Sequence, residues 1–274
     1  MEEIRKPNYL LFCIGISILM IGTVIFRVDD GSYDIAITEA FYNRTLPIGE
    51  RFFLAKLQPW DWFKRNDHTF TIVLLTPLIT MVLVGSFNRK YRPMVRYALF
   101  GISSIAIGPG LLVNVLFKGY WGRPRPSQTC LWPNSDTADN LPFYKVWEPA
   151  FLDGMDDAAF PCGHASIVIV YIILYYIFIN PETAAYLMGG YKDWKVKVFT
   201  FLKYSGLFTA FVGGFLMGLT RIVQGAHHAS DVLWSFGMVF LINWIFYYYV
   251  FKIPQWENKE LKKLEGRIHS TTFE

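Results

Sequence analysis

The chain has 274 residues, of which 53% are hydrophobic, 18% aromatic and 18% charged, with a formal net charge of +4. So apolar a composition, gathered into long runs rather than alternating, excludes a disordered chain and argues against a soluble globular one. The small net charge names no partner by itself, and no nucleic-acid partner is expected.

A helix needs about 20 mostly apolar residues to cross the hydrocarbon core of a bilayer. Six runs approach that length: residues 9–26, 69–87, 97–117, 165–180, 201–219 and 232–251. The expected fold is all-α and polytopic, with six transmembrane helices. The first run is too long for a signal-peptide core and is followed by Arg27-Val28-Asp29-Asp30 instead of a small-residue cleavage site, so it reads as a retained anchor. The expected division is an anchor and outer loop over 1–68, a membrane core over 69–254 and a charged cytoplasmic tail over 255–274. Of the 26 Lys and Arg residues, 14 fall in short segments on the side of the N-terminus, four of them in residues 88–96. That excess predicts cytoplasmic termini, with the loops after the first, third and fifth spans facing outward.

In chain order, residues 27–68 read as an outer loop opening on a turn at Asp29-Asp30-Gly31. Two short helices are expected in it, over 34–42 and 51–65. The aromatic and basic mixture of Phe52, Phe53, Lys56, Trp60, Trp62, Phe63, Lys64 and Arg65 suggests a segment lying among lipid headgroups. In the third span Gly108-Pro109-Gly110 predicts a kink, because proline removes a backbone donor.

That span ends in Lys118-Gly119-Tyr120-Trp121-Gly122-Arg123-Pro124-Arg125-Pro126, with three cations in eight residues and a backbone forced to turn. A polar loop over 127–160 follows. Its Asp153, Asp156 and Asp157 lack matching His or Cys ligands and read as solvated, so no metal site is expected. Pro161-Cys162-Gly163-His164 opens the fourth span, where free N–H groups of a helical first turn attract anions. Cys130 and Cys162 share the outer side, where a disulfide is chemically possible. The fifth span ends at Thr220-Arg221, and His227, His228 and Asp231 open the sixth.

These clusters share one membrane face. Lys118, Arg123, Arg125, Arg221, His164, His227, His228 and Asp231 together hold an excess of fixed cations, histidines and one carboxylate. That inventory suits a phosphate ester: cations hold the phosphoryl oxygens, and a histidine can attack phosphorus. One carboxylate does not build a two-metal site. Asp231 is four residues from His227 and three from His228, so spacing permits either pair.

Lys118 through Arg125-Pro126 resembles the K-x6-R-P motif of the type 2 phosphatidic acid phosphatase (PAP2) superfamily. Pro161-Cys162-Gly163-His164 resembles its P-S-G-H motif, and Thr220-Arg221 through His227 to Asp231 its S-R-x5-H-x3-D motif. Three motifs in the family's order are a specific signal. The resemblance implies that Lys118, Arg125 and Arg221 bind the phosphoryl group, that His227 attacks phosphorus to form a phosphohistidine, that His164 protonates the leaving alcohol and then activates water, and that Asp231 orients His227. It implies no metal and no cofactor. Cys162 stands where the family has serine, so a phosphate contact there rests on backbone N–H groups at Cys162 and Gly163 rather than on a hydroxyl. His228 falls outside the motif and is expected behind the site or facing headgroups. The stretch from Ile107 to Asn114, with Trp121 to Pro126 and the Cys before Gly163, resembles the lipid A 4'-phosphatase branch. A bacterial inner-membrane enzyme with a periplasmic active site and a lipid phosphate substrate is therefore expected. Phosphatidylglycerol phosphate, undecaprenyl diphosphate and phosphatidate are the alternative substrates; a phosphotransferase or a non-catalytic lipid binder is the rival reading.

Overall fold

The computed structural model describes residues 7, 9–134, 141–149 and 158–272. The described residues form helices and connecting turns, with two isolated β-bridges and no strand. The aspartates proposed above as solvated, Asp153, Asp156 and Asp157, lie outside them.

The first helix, α1 (Tyr9–Val28), turns through Asp29–Gly31 into a short α2 (Ser32–Glu39). A second short helix, α3 (Trp60–Arg65), precedes α4 (Asp67–Phe87), and a tight basic turn leads to α5 (Pro93–Ile105). The chain continues through a π-helical segment, Ala106–Phe117, into the single turn α6 (Lys118–Trp121). Beyond the outer loop come α7 (Gly163–Ile169), α8 (Ile172–Ile177) and α9 (Pro181–Leu187), then α10 (Asp193–Phe208), α11 (Gly214–Val223), α12 (Ala229–Ile245) and α13 (Ile253–Thr272).

Four stretches are long and apolar enough to cross a membrane: Asp67–Phe87, Pro93–Gln128, Asp193–Val223 and Ala229–Val250. A fifth is obtained if Gly163–Ile177 and Pro181–Leu187, bent by 77°, form one broken span. The expectation of six is thus met by four or five among the described residues. The fourth run differs most. It is split at Val170-Tyr171 and turned at Asn180, whose side chain caps α9 by accepting the Thr183 N–H at 3.2 Å, with Pro181 in the first helical turn. The first run forms α1, which lies along α12 through small residues: a Cβ on Gly15 would meet Phe240, and one on Gly237 would meet Leu19.

Where a kink is expected at Pro109, the helix is widened. Pro109 sits inside the π-helical segment, and Asn114 Nδ2 donates to the Pro109 carbonyl at 2.7 Å. The extra residue per turn accommodates the proline ring, and the helix runs on to Trp121.

Tyr97, Phe100, Ile173, Tyr176 and Tyr247 form the middle of the apolar core and are almost wholly buried. The outer segment does not lie flat among headgroups as a whole. Phe53 and Trp62 are exposed, but Phe52 is buried and packs with Tyr42 and Trp132 in a second cluster. Tyr42 donates to the Pro133 carbonyl at 2.7 Å. Phe52 also closes over Gly225, whose φ of 65° and lack of a Cβ allow the ring to approach; a Cβ there would lie 2.2 Å from Phe52. The outer segment is therefore a cap over the turn that carries the two histidines.

Candidate active site

The three polar clusters meet at one end of the bundle. Gly122 ends α6 in the left-handed conformation, φ 65°, and sends Arg123–Pro126 back across the helix ends. Ser127 N–H then donates to the Gly225 carbonyl at 3.0 Å, joining the arginine segment to the histidine turn. The Cys162 N–H donates to the Asp231 carbonyl at 3.3 Å, and Ser235 Oγ donates to the Cys162 carbonyl at 3.0 Å, which fixes α7 against α12. Gly163 is needed because Asn114 lies against it: a Cβ there would be 2.3 Å from Asn114 Oδ1.

His227 and His228 lie between α11 and α12, and both are wholly buried. The His227 Nδ1 is 3.8 Å from Asp231 Oδ2, an ion-pair distance longer than a hydrogen bond. Asp231 Oδ2 also accepts the His228 backbone N–H at 2.7 Å. Burial lowers the His227 pKa to about 4, an effect opposed by Asp231 and reinforced by Arg221 and Lys118. The ring is therefore neutral, with a lone pair available, at ordinary pH. Burial likewise lowers His228 to about 4, with Arg123 adding to it. His228 does not face headgroups: its ring packs edge-on to Phe143 at 5.3 Å and tilted to Trp132 at 6.0 Å.

His164 is partly exposed, with Arg221, His227, Lys118 and Arg125 close enough to act on its imidazole electrostatically. Lys118, Arg125 and Arg221 among them are the three cations expected to hold phosphate. Arg221 is additionally held by Gln224, whose Oε1 accepts from its Nη1 at 2.6 Å. Cys130 and Cys162 are free thiols, one exposed and one buried, so the disulfide does not form. Burial pushes the Cys162 thiol up to about 11.

Arg123 departs from the sequence reading. It is fully buried, and its guanidinium is spent on protein groups. Nη2 donates to Asp34 Oδ2 at 2.9 Å, Nη1 to Asp231 Oδ1 at 2.5 Å and to Ser230 Oγ at 2.8 Å, and Nε to the Tyr144 carbonyl at 2.8 Å. Asp34, from α2, also accepts the Ser230 N–H at 2.9 Å and its hydroxyl at 2.5 Å. Arg123 therefore holds the carboxylate beside His227 and does not reach a substrate. Two carboxylates at the site were not singled out from the sequence: Asp34, paired with Arg123, and Asp67, whose Oδ2 lies 3.2 Å from His164 Nε2. The available signal for Asp34 was its place four residues before Thr38, which puts both on the buried face of α2.

A family model, the PAP2 superfamily, matches residues 97–255. The chain belongs to the PAP2 superfamily. It is 30% identical over 191 residues to the lipid A 4'-phosphatase of Francisella tularensis subsp. novicida, covering 68% of this chain and 72% of that protein. Shorter matches link it to two other proteins named lipid A 4'-phosphatase. One, from Rhizobium etli, is 62% identical over 29 residues, 11% of each chain. The other, from Rhizobium leguminosarum, is 38% identical over 69 residues, 24% of this chain and 28% of that one. No solved structure matches the chain. This PAP2 protein is a multi-pass membrane protein and a phosphatase, a phosphoric monoester hydrolase acting on a lipid phosphate.

Proposed function

We propose that the protein removes a phosphate from lipid A, the 4'-phosphate in particular, by way of a phosphohistidine. The observation that carries the mechanism is the buried, neutral His227 with its Nδ1 3.8 Å from Asp231 Oδ2 and with Lys118 and Arg221 near enough to act on the ring electrostatically. The similarity to lipid A 4'-phosphatases supports the substrate.

The chemistry follows from the geometry. His227 Nδ1 is the nitrogen nearer Asp231, which leaves Nε2 to attack. Hydrogen bonds in an empty catalytic site are often long, and the 3.8 Å gap to Asp231 closes as the ring gains charge. The Nε2 lone pair forms a bond to phosphorus while the bond from phosphorus to the sugar oxygen breaks. His164 donates a proton to that leaving oxygen. The now neutral His164 next takes a proton from water, whose oxygen attacks phosphorus; the N–P bond breaks, inorganic phosphate leaves and His227 is restored. Lys118, Arg125 and Arg221 offset the charge on the phosphoryl oxygens throughout. Because Asp67 faces His164 Nε2, Nδ1 is the nitrogen that serves the leaving oxygen. The periplasmic side of the inner membrane is the assigned location of this end of the bundle, with both termini cytoplasmic.

The test is phosphate release from lipid A by purified protein in the presence of EDTA, read with mass spectrometry of the product. The expected product lacks the phosphate on the distal sugar, an acid-labile phosphoprotein is trapped on rapid quench, and His227→Ala has no activity. Full activity of His227→Ala refutes the nucleophile; loss of the other lipid A phosphate refutes the regiochemistry; and turnover that appears only when a second lipid is added as acceptor makes the enzyme a phosphotransferase.

A further inference from the structure

The end of the bundle opposite the active site holds a cavity of about 1410 Å³ that the reaction does not use. It lies between the α4–α5 turn, the end of α9 and the start of α13. The two ends are far apart: α4 runs from Asp67, beside His164, to Gly85 and Ser86 on the cavity wall, and its 21 residues span roughly 30 Å.

The lining has two parts. Leu99, Leu187, Phe251 and Leu264 supply apolar wall, and Leu99 is 44% exposed, so the wall is continuous with the surface that meets hydrocarbon. The rim is cationic: Arg89, Lys90, Arg92, Arg96 and Lys263 face it, against one carboxylate, Glu260. Some of that charge is committed. Arg96 donates to the Phe251 carbonyl through Nε at 3.1 Å and Nη2 at 2.5 Å and lies 5.5 Å from the Trp256 ring, and Lys263 pairs with Glu260 at 2.7 Å. The side chains of Arg89 and Arg92 make no hydrogen bond or ion pair among the described residues.

We infer that this cavity binds an anionic phospholipid of the leaflet at that end. Arg89 and Arg92 hold the phosphodiester, and the acyl chains lie against Leu99 and its apolar neighbours. Basic pockets between helices at the membrane boundary bind anionic headgroups through this combination of charge and hydrocarbon contact. A basic turn that served only to set topology would need neither the cavity nor the apolar wall. A bound lipid would add to the contacts that already join the α4–α5 turn to the end of α9, where Tyr91 lies against Gly189.

The test uses full-length protein, delipidated in detergent, titrated with dioleoyl phosphatidylglycerol, dioleoyl phosphatidylcholine or glycerol 3-phosphate, and read by native mass spectrometry and thermal unfolding. Phosphatidylglycerol is expected to remain bound and raise the unfolding midpoint, and the other two are not. R89Q/R92Q should weaken phosphatidylglycerol binding by about tenfold to thirtyfold, and R89K/R92K should retain it. Equal binding of phosphatidylcholine overturns the charge argument, and equal protection by glycerol 3-phosphate overturns the lipid. Unchanged binding in R89Q/R92Q overturns the site, as does a loss produced only by Arg221→Gln, which places the lipid in the catalytic pocket.

Discussion

Replacing Asp34 tests whether the outer helix α2 takes part in catalysis. Asp34 is 1% exposed and accepts from Arg123 and twice from Ser230. Asp34→Ala leaves a buried guanidinium with Asp231 as its one remaining carboxylate and strips the Ser230 N–H of its partner. Breaking a buried ion pair costs about 3–5 kcal/mol, which corresponds to a fall of roughly 10 °C in the unfolding midpoint at this chain length. The effect on rate has a separate origin. Arg123, Asp34 and Asp231 together carry one net negative charge, and in the proposed mechanism the His227 ring becomes cationic as it bonds to phosphorus. With the 3.8 Å gap to Asp231 and the width of the guanidinium, Asp34 lies roughly 10 Å from the ring. At an effective dielectric of about 20 that charge is worth about 1.7 kcal/mol, or roughly tenfold to twentyfold in kcat. The assay is a double-mutant cycle with Arg123→Met, reading unfolding in detergent and phosphate release from lipid substrate. The two single variants should each lose more than the pair predicts, with a coupling of at least about 1 kcal/mol. Additive effects, or an Asp34→Ala enzyme within twofold of wild-type kcat and within 2 °C of its midpoint, would refute the reasoning.

Three further outcomes are expected. Asp67→Asn removes the charge facing His164 Nε2, and should slow release of an alkyl alcohol by about tenfold or more while leaving an aryl phosphate nearly unaffected; equal losses on both substrates would argue for a structural role. Burial holds His227 and His228 neutral down to about pH 4, whereas in the unfolded chain both protonate near the ordinary value of about 6.5. The unfolded state then binds more protons between those values, so stability falls as pH drops from 6.5 toward 4, by up to about 1.4 kcal/mol per pH unit for each ring; His228→Phe, which suits the Trp132 and Phe143 pocket, should lower that slope by up to about 1.4 kcal/mol per pH unit in a detergent unfolding series. Iodoacetamide at pH 8 should alkylate exposed Cys130 and spare buried Cys162, whose thiol is pushed up to about 11, as read by peptide mass spectrometry.

What the sequence revealed follows from where the signals are stored. Span runs and the three motifs are local patterns, and Lys118, Arg125, His164, Arg221, His227 and Asp231 were legible from them. Desolvation is not local. Lys118, Arg123 and Arg125 look alike as neighbours in the chain, yet Arg123 alone of the three is fully buried, because Asp34 and Asp231 meet it from 89 and 108 residues away. Asp67 was hidden for the same reason: it opens α4 and meets His164 only once the bundle forms. The broken fourth span was hidden because hydropathy averages over Val170-Tyr171 and stops at Asn180 without recording the turn that the Asn180 cap and Pro181 impose.

The two histidines differ in how their spacing to Asp231 is realised in the fold. Separations of three and four residues imply a pair on one helical face, but α12 begins at Ala229, so neither histidine is in the helix. The three-residue relation is a capping contact, in which the Asp231 side chain accepts the His228 backbone N–H and leaves the His228 ring to Trp132 and Phe143. The four-residue relation brings the His227 ring to Asp231 from outside the helix, where Arg221 and Lys118 also act on it electrostatically. Asp231 therefore caps α12, neutralises Arg123 and faces the ring that gains charge. Its Oδ1 is taken up by Arg123, so Oδ2 remains as the oxygen that can shorten its contact with His227. A carboxylate anchored by a helix cap on one side and by a buried arginine on the other has little freedom to turn away, and in the proposed mechanism that restriction holds the His227 tautomer for attack through Nε2.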